Sequence, residues 1–127
     1  MLADRTSSAI VAVGDLDRAR AFYRDTLGLT LLDEGTGGVL TFRTGATQLV
    51  VYVSDFAGTN RANAVVWDAG SETEAIVAGL RAKGVAFEHY PDNEWMRRDG
   101  DIHRAGDMKL VWFKDPEGNV LSLTQFA

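Results

Sequence analysis

The sequence contains no cysteine in its 127 residues. Without a thiol the chain forms no disulfide, holds no metal through a thiolate and has no cysteine nucleophile. Such a composition fits a reducing compartment, and we therefore predict a cytoplasmic location. Histidine is scarce as well: His89 and His103 are the two present, so any histidine chemistry must use one of them.

Long apolar runs and basic clusters are also missing. No stretch approaches the roughly 18 apolar residues of a membrane span, and the first residues, MLADRTSSAIVAV, lack the pattern of a signal peptide. The net charge is −5, and acidic residues interleave with Arg97, Arg98 and Arg104. A nucleic-acid-binding protein needs a basic surface. We therefore predict no membrane and no nucleic-acid partner.

The most informative feature that is present is an internal repeat. Residues 8–53 have the pattern of a strand, a helix and a strand–turn–strand, and residues 63–126 repeat that order. The segment VGDLDRARAFYRDTLGLTLL at 13–32 corresponds to WDAGSETEAIVAGLRAKGVAFE at 67–88. In the same way, LTFRTGATQLVVYV at 40–53 corresponds to VWFKDPEGNVLSLTQF at 111–126. Each half is small for independent stability. We predict one domain over residues 1–127, in which two modules joined by a linker at 54–62 face each other and enclose a cleft.

Helix boundaries are marked by capping residues in both modules. Asp15 is placed to cap the first helix, and Gly28 to end it. Ser71 and Glu74 form the pattern of a capping box before the second helix, and Gly84 ends it. Strands are predicted at 8–13, 29–33, 39–43, 48–53, 63–68, 85–90, 108–114 and 120–126, with a turn at 34–38.

Residues 91–107 break the repeat. They are charged and longer than most connections in compact domains, which is typical of a lid, a binding loop or a disordered segment. Trp95 in this segment either closes over a flat ligand or anchors the loop to the body of the protein. We predict a solvated loop position for His103. His89, at a strand end, is either a ligand contact or a half-buried strand residue.

Two segments resemble a known family. DLDRARAFYRDTLGL at 15–29 and FKDPEGNVLSL at 113–123 are similar to the vicinal oxygen chelate superfamily. That group includes glyoxalase I, extradiol dioxygenases, and fosfomycin- and bleomycin-resistance proteins. The resemblance implies an α+β fold in which two repeated βαβββ modules form a curved, open half-barrel cleft. It does not fix the function, because the superfamily supports several chemistries.

The resemblance also implies where metal ligands stand in the family's metal enzymes. A histidine on the first strand of a module corresponds here to Ser8 and, in the second module, to Ala64. A glutamate on the last strand corresponds to Ser122 and, in the first module, to Val50 or Gln48. None of these is a good ligand for a divalent transition metal. We therefore predict that the usual metal is not held, and we expect no cofactor.

Strand alternation predicts which side chains line the cleft. Val11 and Val13 should face the helices, while Leu110 and Trp112 should face away from Phe113. A mostly apolar cavity with a few polar groups is the usual composition of a small-molecule site. The predicted ligand-binding residues are Ser8, Ile10, Gln48, Val50, Tyr52, Ala64, Val66, His89, Trp95, Trp112 and Ser122.

The sequence therefore predicts a homodimeric protein that binds a small, partly apolar organic molecule without the usual metal. One alternative is a glyoxalase-like lyase or dioxygenase with a relocated metal. Its ligands would come from Glu88, His89, Asp101 and His103. Another is a metal-free enzyme that uses His89, Glu34 or Asp68 as its acid–base group. A third is a protein-binding module that docks its partner through residues 91–107.

Overall fold

The computed structural model describes residues 1–34 and 37–126, which form two compact units. The first unit comprises Met1–Asn60 with Pro116–Asn119, and the second comprises most of the remaining chain. Each unit contains one mixed sheet and one short helical segment, so the predicted α+β class is confirmed. Gly35 and Thr36, within the turn predicted at 34–38, lie outside the described residues.

The first unit has the predicted βαβββ order. Its elements are β1 Ala9–Val13, α1 Leu16–Arg20, a π-helical continuation Ala21–Thr26, β2 Thr30–Asp33, β3 Val39–Thr44 and β4 Thr47–Val53. The sheet order is β1-β4-β3-β2, with β1 parallel to β4 and the other pairs antiparallel. Asp15 Oδ1 accepts a hydrogen bond from Arg18 N at 3.1 Å, which confirms the predicted N-cap. Gly28 follows the helical segment with a φ of 76°, a conformation that favours glycine.

The first sheet has one buried face and one open face. On the buried face the fully buried ring of Tyr23, from the π-helical segment, lies against Phe42 with ring centroids 5.9 Å apart. Val11 and Val13 are also buried, whereas Ile10, the residue before Val11, is 60% exposed. The alternation predicted along β1 is therefore confirmed, and the open face is the one that carries Ile10.

The second unit repeats this order with an addition. Its elements are β5 Asn63–Asp68, α2 Thr73–Ala82, β6 Phe87–Glu88, β7 Arg97–Asp99, β8 Ile102–Ala105, β9 Met108–Lys114 and β10 Val120–Gln125. The sheet order is β5-β10-β9-β8-β7, and β6 also pairs with β9. The strand predicted at 85–90 is much longer than β6, and the other predicted strands agree with the structure to within a residue at each end.

The capping box predicted for the second helix is wrong. The helix begins at Thr73, and the N-cap position belongs to Glu72, whose side chain makes no capping hydrogen bond. The reason is a turn after β5: Glu72 N donates to Ala69 O at 2.9 Å, and Asp68 Oδ1 accepts from Gly70 N at 2.8 Å. This turn keeps Ser71 outside the helix, two residues before its start.

The interpretation of 91–107 as a loop is wrong for residues 97–105. Residues 97–105 form the hairpin β7–β8, which extends the second sheet beside β9. Its turn residues are Gly100, with a φ of 64°, and Asp101. A glycine at the first central position is typical of two-residue hairpin turns. Among the helices described, none is long and apolar enough to cross a membrane.

Candidate functional site

The second unit contains a pocket on the face of its sheet opposite the buried core. The pocket volume is about 360 Å³. The lining is uncharged and consists of Asn63, Ala64, Val65, Val66, Met108, Leu110, Trp112, Ser122, Thr124 and Phe126. We call it the second-unit pocket. Four predicted ligand-binding residues belong to it: Ala64, Val66, Trp112 and Ser122.

Strand register brings three of these residues into one row. Ser122 on β10 stands opposite Val66 on β5 and opposite Trp112 on β9. Residues directly opposite each other in a sheet project from the same face. The neighbouring Val111 and Phe113 are buried on the other face, so the predicted alternation along β9 is confirmed. Ser122 Oγ donates its proton to Val65 O at 3.1 Å. The hydroxyl can therefore act towards a ligand only as a hydrogen-bond acceptor.

Trp112 is backed by an aromatic cluster that the sequence did not reveal. Its ring makes edge contacts with Tyr90 and His103, with centroid distances of 5.1 Å and 5.0 Å. His103 has no exposed surface, so its prediction as a solvated loop residue is wrong. The residue stands on β8 opposite Leu110, which places it on the face that carries the pocket. Tyr90 and Trp112 cover it there.

His103 is held as a neutral imidazole. Tyr90 N donates to its Nε2 at 2.9 Å, so the ring proton of the neutral form resides on Nδ1. Nδ1 is buried and has no hydrogen-bond partner among the described residues. Burial lowers the pKa of His103 below its ordinary value, because the charged imidazolium would lose its hydration. The second-unit pocket therefore has a polar but uncharged ring behind Trp112.

His89 lies in a different arrangement. Its Nε2 is 2.7 Å from Asp101 Oδ1, and Arg81 Nη2 donates to Asp101 Oδ2 at 2.5 Å. Hydrogen bonds from Arg81 and then His89 hold the pKa of Asp101 below its usual range. These contacts join the β7–β8 turn to α2 and to the chain after β6. His89 is not among the residues that line the second-unit pocket.

The donor groups present do not fit the metal site of the family's enzymes. Of the corresponding positions, Ser8, Ala64 and Ser122 offer at most a hydroxyl, and Ser122 donates its proton to the backbone. Across residues 1–34 and 37–126, no three histidine, aspartate or glutamate side chains are grouped so that they could hold a metal ion. The residues proposed for a relocated site do not form such a group either: Glu88 pairs with Lys114 at 3.1 Å.

Glu34 and Asp68, two acid–base candidates of a metal-free enzyme, interact with other residues of the chain. Glu34 Oε1 lies 2.7 Å from Arg20 Nε, and Asp68 closes the turn at Gly70. Neither residue lines the second-unit pocket. Trp95 is 76% exposed, so it does not anchor its segment by burial, and it lines neither of the pockets described here. Its role as a ligand contact, like that of His89, stays a prediction.

The first unit has a pocket of its own, with a volume of about 610 Å³. Its lining is Thr6, Ser8, Leu32, Arg43, Gly45, Ala46, Thr47 and Gln48. We call it the first-unit pocket. Ser8 and Gln48, two of the residues predicted to contact a ligand, therefore line one pocket together with Arg43, which the sequence analysis did not single out. Ile10, Val50 and Tyr52 lie on the same open face of the sheet but outside this pocket.

Comparisons with known proteins agree on the fold. Lactoylglutathione lyase from Agrobacterium tumefaciens is 19% identical with a TM-score of 0.70, covering 96% of this chain and 93% of that one. The antibiotic-binding protein TnmS3 from Streptomyces sp. CB03234 is 23% identical with a TM-score of 0.68, covering 100% and 99%. The fosfomycin resistance protein FosX from Listeria monocytogenes is 15% identical with a TM-score of 0.73, covering 96% and 93%.

At these identities the solved structures establish the fold alone. No curated protein matches the chain. A family match covers residues 5–123, which is nearly the whole sequence. The repeated modules, the two mixed sheets and this match lead to one assignment: the chain belongs to the Glyoxalase/Bleomycin resistance protein/Dioxygenase superfamily.

Proposed function

We propose that this protein binds a small, uncharged and partly apolar organic molecule in the second-unit pocket, without the metal used by the superfamily's enzymes. The observation that carries the proposal is the composition of that pocket. Its lining contains Trp112, Leu110 and Met108 but no ionisable side chain. A pocket with neither an acid–base group nor a metal ligand is suited to binding and not to turnover.

The physical basis of binding is burial against an oriented indole. Trp112 is fixed by Tyr90 on one side and His103 on another, so little side-chain freedom is lost when a ligand arrives. Apolar surface removed from water contributes about 25 cal/mol per Å². The hydroxyl of Thr124 and the amide of Asn63 provide polar contacts at the pocket wall. A charged ligand group would be desolvated there without a partner, which selects against ions.

The relatives support this class of function by analogy. TnmS3 is named as an antibiotic-binding protein, and it shares the fold over the full length of this chain. The superfamily also contains enzymes, as the lactoylglutathione lyase shows by its name. The donor set at the family's metal positions favours the binding function over the enzymatic one here.

A matched pair of variants tests the proposal. Phenylnaphthylamine is a neutral aromatic probe whose fluorescence rises on transfer to an apolar site. We expect the protein to bind it saturably and Trp112→Ala to weaken binding about tenfold, since aromatic contacts are worth roughly 1 kcal/mol beyond the apolar area buried. Phe56→Ala removes an exposed aromatic ring outside the pocket and should leave the affinity unchanged. Equal effects of the two substitutions would contradict the site.

Elemental analysis of protein purified without a chelator tests the metal-free part of the proposal. We expect substoichiometric nickel, zinc, manganese and iron, and no uptake on incubation with these ions. A stoichiometric transition metal that is lost on His89→Ala would overturn this part and support the relocated-metal alternative.

We also propose that the protein is a homodimer. In the single chain, Ile10 and Val66 on the open sheet faces are 60% and 57% exposed. Apolar side chains exposed on sheet faces are typical of association surfaces. A second copy of the chain is the occupant that these faces favour, since most soluble oligomers are homo-oligomers with twofold symmetry. The cytoplasmic location stays a prediction from the cysteine-free sequence.

A further inference from the structure

Arg43 is the charged centre of the first-unit pocket. It stands near the end of β3, opposite Thr30 on β2 and opposite Gln48 on β4. Directly opposed residues share a sheet face, so these three side chains form a polar row on the open face. Arg43 Nη2 donates to Thr30 Oγ1 at 3.2 Å. This contact orients the guanidinium while leaving most of its donors unengaged.

Arg43 has no acidic partner among the described residues. The arginines of the first helical segment are all paired: Arg18 with Glu117, Arg20 with Asp17 and Glu34, and Arg24 with Asp25. No described carboxylate lies within ion-pairing distance of Arg43 (the ion pairs recorded do not include it). In a chain with a net charge of −5, it is a local positive charge that is not neutralised.

The groups around Arg43 are hydrogen-bonding and neutral. The lining adds the hydroxyls of Thr6, Ser8 and Thr47 and the amide of Gln48, and Leu32 provides an apolar patch. A guanidinium with neighbouring hydroxyl and amide donors matches the geometry of a planar or tetrahedral oxyanion. The pocket contains no carboxylate that would repel one.

We propose that the first-unit pocket binds the oxyanion group, carboxylate or phosphate, of a small organic acid. Arg43 makes the charged hydrogen bonds, Ser8 and Gln48 complete the contacts, and the apolar part of the acid lies against Leu32. This site goes beyond the proposed function, because its lining residues differ from those of the second-unit pocket and it selects anionic ligands, not neutral ones. The two pockets share no lining residue.

Amide chemical-shift titration of the whole protein tests the site. The probes are benzoate, phenyl phosphate and inorganic phosphate, with benzamide as the neutral counterpart of benzoate. We expect saturable shifts at Gly45, Ala46, Thr47 and Gln48 with at least one oxyanion and none with benzamide. Stronger binding of benzoate identifies a carboxylate site, and stronger binding of either phosphate identifies a phosphate site. Absence of saturable shifts with all three oxyanions would overturn the proposal.

Charge-matched variants separate a built site from general electrostatics. Arg43→Gln should weaken binding about tenfold or more, since hydrogen bonds to charged groups are among the strongest individual contacts. Arg43→Lys should retain part of the affinity as a point charge. Arg24→Gln removes the same charge from an arginine paired with Asp25 outside the pocket, and should have no effect. Equal weakening by Arg43→Gln and Arg24→Gln would overturn the proposal. Phenylnaphthylamine binding to the second-unit pocket should be unchanged in every variant, which keeps the two proposals distinguishable.

Discussion

Trp112 owes its orientation to residues that do not themselves line the second-unit pocket. His103 contacts it from β8, and Tyr90 contacts both rings. Because His103 accepts the backbone hydrogen bond of Tyr90, one buried imidazole fixes both neighbours. A neutral ring suits this position, since an imidazolium could not accept that bond. His103 is thus a positioning residue for the proposed ligand contact.

The neutral state of His103 predicts how stability depends on pH. Its pKa in the unfolded chain is about 6.5, and burial lowers the pKa in the folded protein. Between the two values the unfolded chain binds more protons, so the contribution of His103 is complete above about pH 6.5 and is lost as pH falls towards the folded pKa. We expect the free energy of unfolding to decrease on acidification from about pH 7.5 to 5.

His103→Gln keeps a hydrogen-bond acceptor and removes this titration. Urea unfolding across that pH range should give a flatter profile for the variant than for the natural sequence. The lowered carboxylate pKa values, such as that of Asp101, act at lower pH and do not account for the difference. Two profiles with the same slope would show that His103 does not titrate in this way.

The sequence predicted which sheet face a side chain projects from where the alternation along a single strand determines it. Alternation along β1 and β9 placed Val11, Val13 and Trp112 on the correct faces, because the two sides of a strand differ in polarity. Arg43 and His103 were not predictable in the same way. Their surroundings depend on which residues of other strands stand opposite them, and cross-strand register is a long-range property that a local pattern does not contain.

At the scale of elements, the repeat predicted both βαβββ modules but not the hairpin β7–β8. Residues 97–105 are too charged to give an apolar strand pattern, yet the hairpin forms with one exposed strand at the sheet edge. A signal was present: Gly100–Asp101 and Gly106–Asp107 are turn dipeptides on either side of Ile102–Ala105. Reading charge as a sign of a loop obscured two closely spaced hairpin turns.

The turn of this hairpin is held by Asp101, and we expect its substitution to loosen the element. Asp101→Asn weakens the contacts to both Arg81 and His89. The partners are substantially exposed, so the free energy of unfolding should fall by only about 1 kcal/mol. Amide hydrogen exchange at Ile102–Ala105 should be faster, because local opening becomes easier.

Asp99→Asn is the matched control for this prediction. It removes one carboxylate from the same hairpin, but its pair with Arg104 is more exposed and involves a single partner at 3.3 Å. We expect a change within a few tenths of a kcal/mol and unchanged exchange rates. Similar effects at the two positions would mean that the Asp101 contacts do not stabilise the hairpin specifically.

For the molecule as a whole, packing of the core does not explain why the open faces of the two sheets carry exposed apolar residues. Each unit buries one sheet face under a helical segment and leaves the other accessible in the single chain. Ile10 and Leu32 in the first unit, and Val66 and Phe126 in the second, are exposed apolar residues. Both proposed pockets lie on these faces, so pairing with a second copy would also affect access to ligands.

Sedimentation velocity over a range of concentrations tests the proposed homodimer. We expect the natural sequence to sediment as a dimer and Ile10→Lys to shift it towards monomer, with the dissociation constant raised about a hundredfold, because an unpaired ammonium buried in an interface is strongly unfavourable. Phe56→Lys is the control: Phe56 is 77% exposed but lies outside every strand, so the same change of charge should leave the dimer intact. A natural sequence that is monomeric at all concentrations, or equal dissociation of the two variants, would show that the open face around Ile10 is not the dimer interface.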